Sequence, residues 1–157
     1  MNNTNSIGLN TEKSKTLVDS LNGLLSTYQI HYMNTRGFHW NIKGQNFFEL
    51  HLKFEEIYND LLLKVDEIAE RILTIEGAPL HAYSDYANNS LIAEAKNISD
   101  GKSAIENLLS GFKTLISTQR ALLEQASDAS DEGTAALMSD YIKEQEKLVW
   151  MLKAYLN

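Results

Sequence analysis

Residues 54–75, FEEIYNDLLLKVDEIAERILTI, carry the clearest structural signal in the chain. Apolar side chains recur there at alternating steps of four and three, at Phe54, Tyr58, Leu61, Val65, Ile68, Ile72 and Ile75. This spacing places them on one face of an α-helix. Gly77 and Pro79 follow, and a glycine followed by a proline is a common end of a helix. We therefore predict a long helix with one face in a core.

Three further segments show the same periodicity. The first contains Leu17, Leu21, Leu24 and Tyr28, and we expect it to end at Gly37 and the segment NIKGQN (41–46). The others contain Ile105, Leu109, Phe112, Ile116 and Leu123, ended by SDASDEG (127–133), and then Leu137, Tyr141, Leu148, Leu152 and Tyr155. Four helices predict an all-α four-helix bundle in a single domain, 1–157, whose first residues, 1–11, form a flexible tail.

The link between the second and third helices is long, from Ala78 to about Ser90, and we predict a short extra helix after it at LIAEAKN (91–97). A simple up-down bundle needs only short loops, so a long link favours a bundle in which this connection crosses over.

Composition limits the possible functions. A net charge of −7 and a pI near 5.0 argue against a nucleic-acid binder, which needs clustered cations. The chain has no cysteine, so a metal site must use His, Asp and Glu, a ligand set that suits iron, manganese or zinc. No apolar run is long enough to span a membrane, and the N-terminus lacks the apolar core of a secretory signal. A cytoplasmic protein is the simplest expectation.

Candidate ligands lie on the second helix. At about 100° per residue from Phe54, the arc from roughly 200° to 280° is an ordinary solvated face. It contains Glu49, Lys53, Glu56, Asp60, Lys64, Glu67, Arg71 and Thr74. His51, Glu55, Asp66 and Glu70 instead fall between roughly 60° and 160°, a sector that also carries Phe48, Leu52, Leu62, Ala69 and Leu73.

Acids among apolar side chains are costly unless they are paired or bind a metal. An acid pair four residues apart, taken alone, is more often a solvated helix face. What favours a metal site is that all four polar residues share one apolar sector.

Distance along the helix then restricts the architecture. His51 and Asp66 are 15 residues apart, which is roughly 22 Å at about 1.5 Å per residue. Metal–ligand bonds are about 2 Å long, so the two pairs cannot share a metal within one chain. Two copies of the helix packed antiparallel about a two-fold axis near Asp60 would bring His51 and Glu55 of one copy to Asp66 and Glu70 of the other. His39, at the end of the first helix, could complete each of the two sites.

The combined pattern resembles the mini-ferritins, the DNA-binding proteins from starved cells. Its elements are His-Trp-Asn, a second His twelve residues on, an acid four residues later, and then Asp-x-x-x-Glu. Here they are His39, His51, Glu55, Asp66 and Glu70. Helix lengths, the Gly-x-Pro end of the second helix and Trp150 extend the resemblance over nearly the whole chain.

The resemblance implies a ferritin-like bundle assembled into a hollow dodecamer with two-iron ferroxidase sites at dimer interfaces. It implies oxidation of Fe(II), typically by hydrogen peroxide, and storage of the ferric product. His39, His51, Asp66 and Glu70 would be catalytic metal ligands. Glu55 stands where Asp is more usual and would bind the metal directly or act behind the ligands.

The resemblance also assigns roles outside the ligand set. Trp40 would lie beside the metal site and absorb stray oxidising equivalents. Asp128, Asp131, Glu132 and Asp140 are candidates for an acidic iron-entry pore, with helix-N-terminal acids as the alternative interpretation.

Two other functions remain open. One is a DNA-compacting, nucleoid-protecting oligomer. Relatives that bind DNA use a Lys-rich tail, whereas this tail has only Lys13 and Lys15 with Glu12 between them, so we expect DNA binding to be weak or absent. The other is a structural helical oligomer whose ligand set has decayed, which the intact five-residue pattern disfavours. His31 and His81 match no part of the pattern; we expect His31 to be partly buried or at an interface, and His81 to be exposed.

Overall fold

The computed structural model describes residues 3–157; residues 1 and 2 lie outside the described part. It contains α1 (Thr11–Asn41), α2 (Phe47–Thr74), α3 (Tyr83–Asn89), α4 (Gly101–Asp128) and α5 (Glu132–Leu156). α1 packs along α2, α4 packs along α5, and α1 also contacts α4 and α3. The described residues form no strand beyond one isolated bridge between Thr4 and Asn10. This confirms the predicted all-α bundle with a short helix in the long link.

The core follows the predicted stripes. Phe54, Leu61, Ile68 and Ile72 of α2 are fully buried, and so are Leu17, Leu21, Leu24 and Tyr28 of α1. α4 contributes Ile105, Leu108, Phe112 and Leu115 to the same cluster. Within the described range, no helix is both long enough and apolar enough to cross a lipid bilayer.

The predicted break at Gly37 is wrong. α1 continues through this glycine to Asn41, because Phe38 and His39, the next two residues, are buried and hold the last turn in place. Their burial outweighs the roughly 1 kcal/mol that a glycine costs inside a helix. The chain turns instead at 42–46, where Gly44 and Asn46 adopt positive φ angles of 92° and 64°.

The short helix lies at Tyr83–Asn89 and not at the predicted 91–97. The cause is Asn34 of α1, whose buried amide donates to the Ala93 carbonyl at 3.0 Å and accepts from the Ala95 N–H at 2.9 Å. These two bonds keep the segment extended against α1. Its helical composition is overridden by a partner some sixty residues away in sequence.

Part of the predicted solvated face of α2 is covered. Lys64 is buried, and its ammonium group pairs with Asp60 at 2.7 Å and with Glu144 of α5 at 2.8 Å. Its Nζ also lies 5.2 Å from the centre of the Tyr141 ring. Long polar side chains therefore bridge α2 and α5, where solvent was expected.

The expected tail, residues 1–11, lies partly outside the described residues. From Asn3 onward the segment makes defined contacts, including a bond from the Ser6 N–H to Glu76 Oε1 at 3.0 Å. The Asn5 side chain accepts from the backbone N–H of Leu9 at 2.9 Å, and Asn10 caps α1. Whether this segment is flexible in solution stays a prediction.

The interior contains a closed polar network. The Tyr28 hydroxyl donates to Gln119, Gln119 Nε2 donates to Gln145 Oε1 at 2.8 Å, and Gln145 Nε2 donates to the Tyr28 oxygen at 2.7 Å. Burial raises the pKa of the Tyr28 phenol well above its usual range. This network offers a metal neither imidazole nor carboxylate, so the candidate ligands must be sought elsewhere.

Candidate metal centre

His39 and His51 meet where α1 ends and α2 begins. The turn at 42–46 reverses the chain, so that the two imidazole rings stack with centroids 3.8 Å apart and planes 12° from parallel. The Phe47 ring stacks on the other side of His51 at 5.0 Å. His39 is buried and His51 is half-buried. The structure thus brings together two histidines twelve residues apart in sequence.

A reciprocal pair of hydrogen bonds fixes both rings. His39 Nδ1 donates to the carbonyl oxygen of His51 at 2.6 Å, and His51 Nδ1 donates to the carbonyl oxygen of His39 at 2.7 Å. A carbonyl oxygen can only accept, so Nδ1 carries the proton in both residues. In a neutral imidazole the lone pair then belongs to Nε2, the atom left free to bind a metal. Among the described residues, neither Nε2 has a hydrogen-bond partner.

Two further predicted residues lie where α1 ends and α2 begins, Trp40 on α1 and Glu55 on α2. Glu55 lies one turn after His51 and is half-buried. Trp40 follows His39 and is 58% exposed, an unusual exposure for so large an apolar ring. The Arg36 guanidinium covers one part of that ring, with its carbon 4.8 Å from the ring centre.

Asp66 and Glu70 form the other half of the candidate set. Both are exposed and lie one helical turn apart. A hydrogen bond with Asp66, and then the charge of Asp66, raise the pKa of the Glu70 carboxyl. No Lys, Arg or His in the described part of the chain pairs with either acid. Two adjacent carboxylates that no basic side chain neutralises provide oxygen ligands for a metal ion.

The two halves do not meet within one chain. α2 is unbroken from Phe47 to Thr74, so the 15 residues between His51 and Asp66 span roughly 22 Å. In the described part of the chain, no three His, Asp or Glu side chains lie close enough together to hold a metal ion. One half supplies the imidazole nitrogens and the other supplies a pair of carboxylates, and the two together make a mixed nitrogen and oxygen ligand set that suits iron, manganese or zinc.

Exposed apolar side chains surround and separate the halves. Phe48 is 84% exposed, and Leu52, Leu62 and Leu73 of the same sector are also exposed. Exposed apolar side chains grouped on one side of a helix are typical of an interaction surface. The ligand halves and the apolar face occupy the same side of α2.

The candidates for the iron-entry pore lie around the start of α5, and they differ in burial. Asp131 is buried: it caps α5 through the Thr134 N–H at 3.0 Å and pairs with Arg71 at 2.6 Å. Asp131 therefore fits the alternative interpretation, an acid at the N-terminus of a helix, and has no free oxygen with which to bind a passing cation. Asp128, Glu132 and Asp140 are exposed and stay predictions.

The other two histidines lie apart from these halves. His81 is exposed in the link, as expected. His31, expected to be partly buried or at an interface, is fully enclosed, and neither of its ring nitrogens has a hydrogen-bond partner among the described residues. Burial lowers the pKa of His31 to about 3, so the ring is neutral at physiological pH.

Sequence reasoning missed two residues that shape the site, Phe47 and Arg36. Phe47 supports the His51 ring, and Arg36 covers the Trp40 ring. Arg36 could have been found from spacing, since it precedes His39 by three residues and so lies on the same face of α1.

Known proteins share this fold and align with most of the chain. The family model for the ferritin-like domain matches residues 18–157. The chain belongs to the ferritin-like family. Within it, the chain is one of the mini-ferritins: it is 41% identical to the DNA protection during starvation protein of Porphyromonas gingivalis, over 94% of this chain and 93% of that one.

Solved structures agree with this membership. The Dps protein of Vibrio cholerae O1 superposes with a TM-score of 0.97 at 57% identity, covering 100% of this chain and 98% of that one. It is described as a member of a broad superfamily of ferritin-like diiron-carboxylate proteins. Dps of Staphylococcus aureus superposes with a TM-score of 0.88 at 32% identity, covering 91% and 96% of the two chains.

Proposed function

We propose that this protein oxidises Fe(II) and stores the ferric product in a homo-oligomeric cage, at metal centres formed between two copies of the chain. One observation carries the proposal: two incomplete ligand sets lie about 22 Å apart on one unbroken helix, within an exposed apolar face. A two-fold axis through such a face joins each nitrogen-bearing half to an oxygen-bearing half. The Vibrio cholerae relative, described as ferritin-like and diiron-carboxylate, supports iron as the metal.

In this arrangement His39 and His51 of one copy, with Glu55, face Asp66 and Glu70 of the second copy. The backbone carbonyls hold both imidazoles with Nε2 directed away from their hydrogen bonds, so the rings need no reorganisation to bind Fe(II). The carboxylates balance the charge of the ion. Iron is here the substrate, and its oxidised product leaves for the interior of the cage.

We propose hydrogen peroxide as the oxidant. Two Fe(II) ions each give one electron to one peroxide molecule, which takes up two protons and leaves as two waters. This stoichiometry releases no hydroxyl radical. Trp40, exposed beside His39, is a one-electron donor for any stray oxidant formed there.

A dodecamer built from two-fold dimers is the proposed cage, located in the cytoplasm. Asp128, Glu132 and Asp140 are the proposed entry acids, since all three are exposed near the start of α5.

The proposal is tested with the double variant His39→Ala/His51→Ala. We expect rapid peroxide-dependent Fe(II) oxidation to disappear while the oligomer persists. His81→Ala is the matched control, because that histidine is exposed in the link and its hydrogen bond is to the carbonyl of Pro79, two residues earlier. Oxidation at the native rate in the double variant would end the proposal.

DNA binding is the second candidate because relatives are named for DNA protection. The structure gives it little support. Lys13 donates to the Asp128 carbonyl at 3.0 Å, and Lys15 pairs with Glu12 at 3.3 Å, so both lysines of the N-terminal segment are engaged. The net charge of −7 opposes phosphate contact. Retention of plasmid by the native protein in a low-salt gel shift would favour direct DNA binding.

A further inference from the structure

Arg36 is held in a fixed position one turn before His39. Its guanidinium carbon lies 4.8 Å from the Trp40 ring centre, 5.3 Å from that of Tyr58 and 5.7 Å from that of Tyr32. Its Nη1 donates to the Tyr32 hydroxyl at 2.9 Å. Cation–π contacts with three rings leave the side chain little freedom to swing away.

This cation has no anionic partner in the described part of its own chain. The described residues form six ion pairs, and Arg36 takes part in none of them. A guanidinium group has five N–H donors; among the described residues one of them makes a hydrogen bond, and the buried Nε has no partner there. A half-buried, fixed charge of this kind is costly unless an acid pairs with it, and none of the described residues supplies one.

The two-fold arrangement proposed above supplies that acid. In that arrangement His51 faces Glu70 of the second copy, and Glu55 faces Asp66 of the second copy. The residue numbers of any two facing positions on the two α2 helices therefore add up to 121. Tyr58, on which Arg36 rests, then lies opposite position 63 of the second copy. Asp66 of that copy is three residues further on, which is less than one helical turn. Asp66 also lacks a cation in its own chain.

We propose that Arg36 is a positioning residue of the metal centre, whose guanidinium pairs with Asp66 of the second copy before metal binds. This inference rests on the proposed two-fold metal centre. In the metal-free assembly the pair neutralises the Asp66 carboxylate, which is exposed in the single chain, and sets the register of the two copies. An incoming divalent cation must then compete with a fixed positive charge, so Arg36 also lowers the affinity of the oxygen-bearing half for metal.

A double-mutant cycle on metal-free, full-length protein tests the pair. The association of native protein, Arg36→Met, Asp66→Asn and the double variant is measured by sedimentation across a urea series. We expect each single variant to weaken association at least about tenfold and the double variant to lose little more, because paired residues are not additive. Arg120→Met is the control, since Arg120 pairs with Glu146 of its own chain. Additive losses would overturn the inference.

Cobalt(II) titration supplies a readout that a merely structural role would not change. Arg36→Met should bind Co(II) about tenfold more tightly than native protein, whereas Arg36→Lys, which keeps the charge, should bind it as native protein does. Equal affinity in native protein and Arg36→Met would contradict the competition with metal. If native protein binds no cobalt at all, the proposed metal centre fails, and the metal-free cycle still decides whether Arg36 and Asp66 pair.

Discussion

Leu62 provides a strong test of the interface because it lies near the centre of the proposed two-fold contact. Its side chain is 46% exposed in the single chain and points out with Asp66 and Glu70. The change Leu62→Asp removes apolar area from the contact and adds a carboxylate to it. Folding of the chain itself should be little affected, since the side chain is not part of the core.

The expected loss can be estimated from exposure. Fully burying a leucine side chain is worth about 1.5–3 kcal/mol, so the exposed half of Leu62 contributes about 1 kcal/mol per copy. Each desolvated carboxylate adds at least about 2 kcal/mol. The two-fold axis counts both contributions twice, for a total of about 6 kcal/mol. Association should weaken roughly ten-thousandfold.

Sedimentation velocity of the metal-free protein measures this loss, and stopped-flow Fe(II) oxidation measures its consequence. Leu91→Asp is the matched control, because Leu91 is 65% exposed but lies in the link, away from the α2 sector. We expect dissociation and loss of rapid oxidation for Leu62→Asp alone. A Leu62→Asp protein that assembles and oxidises iron as native protein does would refute the interface.

Three further predictions concern the single chain. Asn34→Ala should lower the stability by about 2 kcal/mol, because two backbone groups of the link lose their partner; thermal unfolding measures the loss, and hydrogen exchange should accelerate at the Ala95 N–H. Acidification should destabilise the protein progressively from about pH 6.5 to pH 3. The reason is that the pKa of His31 is lowered to about 3 in the folded chain, so the unfolded chain binds a proton there more readily. Urea unfolding measures this pH dependence, which His31→Leu should reduce. Asp131→Ala should lower the free energy of unfolding by about 3–5 kcal/mol, because it leaves Arg71 unpaired and removes the cap of α5. A melting temperature equal to that of native protein would contradict this role.

A helix could be predicted from the sequence wherever a periodic apolar face packs into the core. The stripe from Phe54 to Ile75 needed only local spacing, and the structure buries most of it. The link helix was misplaced because Asn34, distant in sequence, fixes the backbone at Ala93 and Ala95. Lys64 was predicted to be solvated because its partner Glu144 lies eighty residues away, on α5.

The candidate site was predictable as a set of residues but not as a geometry. His39 and His51 were identified from their pattern, whereas their reciprocal bonds to each other's carbonyls depend on the turn between α1 and α2. Asp131 looked like a free acid because its neutralising Arg71 lies sixty residues earlier. In each case the missing information was a contact between helices, which composition and periodicity do not encode.

Subunit complementation measures the shared metal centre most directly. The variants His39→Ala/His51→Ala and Asp66→Asn/Glu70→Gln each retain one intact half, so neither should oxidise Fe(II) rapidly alone. If they are unfolded together and refolded as a mixture at equal concentration, half of the interfaces pair unlike copies, and each of these contains one complete site. We predict recovery of roughly one quarter of the native rate. A mixture that stays as inactive as its two components, although native protein refolded in the same way is active, would contradict a centre built from two chains.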